Sequence, residues 1–104
     1  MATTSKVLAR TAAATSSTTL YTVPNTSTTT VVTNILVANT AATAATFDMS
    51  IDGVQIANDV TVAANDTLSL DMKQVIPANA TPKTITGLAS ATTVNFHISG
   101  VEIS

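Results

Sequence analysis

Cysteine is absent from this chain of 104 residues, which removes disulfide stapling and every reaction that needs a thiolate. Aromatic residues are nearly as scarce, with Tyr21, Phe47 and Phe96 alone. Valine, isoleucine, leucine, methionine and alanine must therefore fill the interior, and each buries less area than an aromatic ring. Such a thin core leaves room for stabilisation by subunit contacts. The same shortage weighs against a carbohydrate-binding module, which stacks sugar rings on exposed aromatics. Charge is sparse and uneven. Residues 1–40 hold Lys6 and Arg10 and no acid, a net +2, whereas residues 41–104 set Lys73 and Lys83 against Asp48, Asp52, Asp59, Asp66, Asp71 and Glu102, a net −4. No basic patch supports nucleic-acid binding. No apolar run is long enough to span a bilayer, and the first residues lack the basic-then-apolar order of a secretory leader. The expectation is a soluble protein made in the cytoplasm, with no nucleic acid and no membrane among its partners.

What is present is threonine, alanine and the β-branched apolar residues, a composition that suits strands. Near the C-terminus Val94, Phe96 and Ile98 alternate with Thr93, Asn95, His97 and Ser99, the period-2 pattern of a strand with one buried face. Past Gly100 the apolar positions become Val101 and Ile103, so a bulge or bend at Ser99-Gly100 is expected to absorb a one-residue slip. Phe47, Met49 and Ile51 alternate with Asp48, Ser50 and Asp52. Asp52-Gly53 predicts a two-residue hairpin, returning through Val54 and Ile56 on the face of Ile51. An Asn58-Asp59 turn is expected before a strand over 60–62. Leu68, Leu70 and Met72 alternate with Thr67, Ser69 and Asp71. Residues 28–39 are apolar on both faces, Val31, Ile35 and Val37 against Val32, Leu36 and Ala38, as in a central strand or one covered by a neighbouring subunit.

Residues 18–23 read as a strand ended by the turn Pro24-Asn25-Thr26-Ser27. Residues 77–82, bounded by Pro77 and Pro82, are a break before a short strand at 84–88. Residues 1–17 are expected to be an N-terminal arm or a short first strand over 6–10, with 11–17 as loop. The fold class that follows is all-β: a single antiparallel β-sandwich over residues 18–104, jelly-roll-like, with about eight strands. Phe47, Leu70, Phe96 and Ile98 are its expected inward residues.

Three features imitate sites. Asp48, Ser50, Asp52-Gly53 and Asp59 match part of a calcium-loop spacing, but the full motif ends in a bidentate glutamate between two helices. The extended pattern instead puts Asp48 and Asp52 on a solvated strand face. His97 is the single histidine, and it shares the polar face with Asn95 and Ser99, without the nucleophile and orienting carboxylate that catalysis needs. Asn25-Thr26-Ser27, Asn65-Asp66-Thr67 and Asn79-Ala80-Thr81 match the glycosylation triplet, and asparagine-containing turns account for all three. No catalytic, cofactor-binding or metal-ligating residues are assigned, and no enzyme activity is expected.

Thr18-Thr19-Leu20-Tyr21-Thr22-Val23-Pro24, followed by Thr30-Val31-Val32-Thr33-Asn34-Ile35-Leu36-Val37-Ala38-Asn39, resembles a pattern in small virion structural proteins of tailed bacteriophages. The likeness continues through Ala45-Thr46-Phe47, Ala63-Ala64-Asn65-Asp66-Thr67-Leu68 and Val94-Asn95-Phe96-His97-Ile98-Ser99-Gly100-Val101-Glu102. This resemblance implies a β-sandwich built into a phage particle and carries no catalytic residues. The expected role is that of a capsid decoration (cement) protein on the virion. Its expected partners are the major capsid protein and copies of itself, as a homo-oligomer (a trimer in preference to a dimer) with residues 1–17 against a neighbouring subunit or the capsid shell. The alternative is a tail- or baseplate-associated sandwich that contacts the host surface.

Overall fold

The computed structural model describes residues 2–104. Among the described residues there are nine strands: β1 (Thr3–Ala12), β2 (Thr18–Thr22), β3 (Thr29–Asn39), β4 (Ala45–Ile51), β5 (Val54–Val62), β6 (Thr67–Leu70), β7 (Gln74–Ile76), β8 (Thr84–Ala89) and β9 (Val94–Ile103). One sheet has the order β1-β9-β3-β6, with β7 also on the far edge of β3; the other has the order β2-β8-β4-β5. All pairings are antiparallel. Setting β7 aside, these eight strands have the two-Greek-key connectivity of a jelly roll. The molecule is elongated, 46 × 22 × 18 Å.

The core lies between the sheets. Phe47, Phe96 and Ile98 are buried as expected, with Ile35, Met49, Ile76, Ile85 and Val37 around them. The two phenylalanine rings meet edge to face, centroids 6.0 Å apart, an arrangement that aromatic quadrupoles favour. Leu70, expected inward, is only half-buried, because β6 is a four-residue edge strand.

Several local expectations are corrected. Residues Thr3–Ala12 form one ten-residue strand along β9, so the chain's own sheet supplies the order expected from docking, and Thr11 and Ala12 are strand instead of loop. β9 does not slip at Ser99-Gly100. Its alternation runs unbroken through Gly100 to Glu102 on the inner face, which leaves Val101 and Ile103 on the outer face. The irregularities lie on its neighbours: the register shifts between Val7 and Ala9 in β1 and between Val32 and Asn34 in β3, both at the level of Ser99 and Gly100. The extra residue in β3 puts Val31 outward but Ile35 inward, so the two apolar faces of residues 28–39 belong to two segments of opposite phase.

The β4–β5 hairpin forms on Asp52 and Gly53 with φ of 55° and 72°, positive at both central residues as a type I′ turn requires. The return strand departs from the expected pattern. There is no turn at Asn58-Asp59, and β5 runs through it as a bulge with Asp59 at φ 50°. Val54 is exposed at the hairpin tip, Ile56 lies in a second irregularity, and Ala57 faces Met49 in its place.

Candidate interaction surface

No reaction centre is built by the residues that imitated one. Asp48 accepts the Asp59 N–H at 2.6 Å and so closes the β5 bulge. Asp52 occupies the hairpin turn and pairs with Lys83 at 3.3 Å. His97 points outward, in register with Arg10 on one side and Leu36 on the other, while Glu102 points to the opposite face. The Asn25 carboxamide accepts hydrogen bonds from the Ser27 N–H and hydroxyl and from the Thr28 hydroxyl. Asn79 accepts from the Thr81 N–H, and Asn65 takes a left-handed φ of 53°. All three asparagines serve turns, as the sequence predicts.

Two buried polar clusters are structural, and sequence reading found neither. At the end of the sandwich where the strands loop through 40–44 and 90–93, Asn39 is 2% exposed. Its Nδ2 donates to the Thr43 carbonyl at 2.8 Å, and its Oδ1 accepts from the Ala41 N–H and the Thr93 hydroxyl. At the other end Tyr21 of β2 donates across the sheets to the Glu102 carboxylate on β9 and accepts from the Thr30 hydroxyl on β3 at 2.8 Å. Lys6 of β1 completes the cluster, 3.3 Å from Glu102. One signal was available: an unbroken alternation through Gly100 would have placed the chain's single glutamate inward, where a carboxylate needs partners.

Burial first, and then its hydrogen bond to Glu102, push the Tyr21 phenol up to about 12, with Thr30 opposing the rise. The folded pKa lies above the ordinary value of 10.0, so this contribution to stability is complete below pH ~10 and lost as pH rises through ~12, on the order of 2 kcal/mol across that window. Tyr21 is the one tyrosine and tryptophan is absent, so phenolate absorbance reports this group alone. The expected result is a midpoint near 12 that coincides with the onset of alkaline unfolding; a midpoint near 10 in folded protein would contradict the buried hydrogen bond.

The surface most suited to a partner is the outer face of the β1-β9-β3 sheet. One row across it aligns Ser5, Val101, Val31 and Val75. Val75 is 62% exposed, Val7 46% and Leu36 37%, and Val31, Val101 and Ile103 are half-buried beside them. Next to this row lies a shallow depression of about 380 Å³ lined by Ser5, Lys6, Val7, Thr33, Ser99, Gly100 and Val101. The sheet edges are less inviting. β2 and β5 are bulged, β6 and β7 are short, and β1 carries Lys6 and Arg10, all devices that discourage strand addition.

The strand order defines the chain as a jelly-roll β-sandwich. The same fold occurs in a chain of the solved structure of infectious bursal disease virus, Gx strain, at a TM-score of 0.52 and 14% identity. The likeness covers 97% of this chain but 30% of that one, so this chain spans under a third of its structural neighbour. No protein-family model and no curated protein sequence matches it.

Proposed function

We propose that this protein is a non-catalytic structural component of a tailed-bacteriophage virion, a decoration (cement) protein seated on the capsid shell over the joins between major capsid subunits. The observation that carries this reading is the jelly-roll order, which spans essentially the whole chain and is shared with a chain of a virus particle. The resemblance of its strand and turn sequences to small phage virion proteins supports it.

Antibody raised against the recombinant chain, applied to purified particles of the phage that encodes it and viewed by electron microscopy, tests the reading. Label distributed over the head is the expected result. Label confined to the tail or baseplate would replace the decoration role with the tail-associated one. Particles that carry no label, from a lysate in which the chain is made, would overturn the virion role altogether.

A further inference from the structure

We infer that the outer face of the β1-β9-β3 sheet is a self-complementary dimer interface, on which a second copy of this chain packs face to face about a two-fold axis nearly parallel to the strands and passing between β9 and β3. The inference does not depend on where the protein works.

Three observations select a second copy as the occupant. The first is a knob and a hole on the same face. Val75, the most exposed apolar residue of its row, stands on the β7 side of the axis, and the depression beside Ser5 and Val101 lies on the β1 side. A two-fold axis between β9 and β3 exchanges these sides, so Val75 of each copy enters the depression of the other and Val101 of each meets Val31 of the other. That reciprocity is what an isologous interface requires.

The second observation is charge. In the row nearer the opposite end, Arg10, His97, Leu36 and Ser69 are aligned across β1, β9, β3 and β6. The same axis sets Arg10 against Ser69 and His97 against Leu36, so no basic side chain meets its own copy. The valine row itself carries no charge, and the one cation lining the depression, Lys6, is already paired with Glu102 of its own chain.

The third is area. The three long strands rise ~33 Å each and β6 and β7 together add about seven residues at the fourth position, which at ~4.8 Å spacing gives roughly 600 Å² per copy and 1,200 Å² in all, the lower bound of a specific interface. The flat, β-branched surface adds little ordering cost, because valine and threonine have few rotamers to lose.

Sedimentation of the full chain over a concentration series, with two aspartate substitutions, tests the inference. Val75→Asp should weaken the dimer by about tenfold or more, the loss expected when an apolar knob carries a charge into a depression whose one cation, Lys6, is already engaged by Glu102. Val54→Asp is the control, since Val54 is 68% exposed but lies on the other sheet, and it should leave the dimer unchanged. A geometric arm uses the cysteine-free background. A mixture of Ser5→Cys and Val75→Cys chains should be joined by a short bismaleimide, whereas either alone should not, because copies of the same position then stand about three strand spacings apart, ~14 Å. A chain that stays monomeric throughout, a dimer indifferent to Val75→Asp, or equal cross-linking of the single and mixed samples would each overturn the inference.

Discussion

Phe96→Ala should cost the fold about 3–5 kcal/mol, a large share of the ~5–15 kcal/mol that holds a domain of this size together. Phe96 is fully buried near the start of β9, a strand flanked on both sides by β1 and β3. Its ring packs edge-on against Phe47, and these are the only two phenylalanines in the chain. Truncation removes both the apolar area and the ring–ring contact. The cavity cannot collapse easily, because its walls come from two sheets whose backbones are fixed by their ladders. Gly87 on β8 is part of that fit: a Cβ there would lie 3.4 Å from Phe96 Cε2 and 3.0 Å from Leu20 Cδ1. Urea unfolding followed by circular dichroism measures the loss. A change within about 0.5 kcal/mol, the range of surface substitutions, would place the ring outside the core.

Gly100→Ala should destabilise by about 3 kcal/mol, at the upper end of overpacking costs, although it adds one methyl group. A Cβ at Gly100 would stand 2.4 Å from the Val31 carbonyl oxygen and 2.8 Å from Leu8 Cδ1. Leu8 could turn aside, but the Val31 oxygen is main chain. β9 cannot move away from β3 without breaking its ladder to β1, and the irregularities of both partners lie at this level. The demand on Gly100 is therefore space, not backbone dihedral. Gly53→Ala gives the contrast. Nothing lies within 4 Å of a Cβ there, but φ is +72°, so the expected cost is roughly 1 kcal/mol from backbone strain alone. Thermal melts of the two variants should rank Gly100→Ala well below Gly53→Ala. The reverse order would mean that β9 and β3 do not approach as described.

Within single strands, the sequence determined much of this protein. Alternation at Phe47, Met49 and Ile51 and at Val94, Phe96 and Ile98 assigned their buried faces correctly, because a side chain's face follows from its own backbone pleat. Asp52-Gly53 specified its turn for an equally local reason: few residue pairs accept two successive positive φ angles. The all-β class and the sandwich follow from such segments taken together.

Only the tertiary structure decided what depends on two strands at once. A bulge is a mismatch between neighbours, and nothing within β3 announces that Thr33 is the extra residue opposite Ser99 and Gly100. That single mismatch sends Val31 outward and keeps Ile35 inside. It also preserves the phase of β9, turning Glu102 inward to Tyr21 and leaving Val101 on the surface. The valine row and its depression join residues from four strands separated by up to 96 positions in the chain, as the Lys6–Glu102 pair is. Sequence fixes which face each residue would take on an ideal strand; the register between strands, set by packing of the whole sandwich, determines which of those faces reach solvent together.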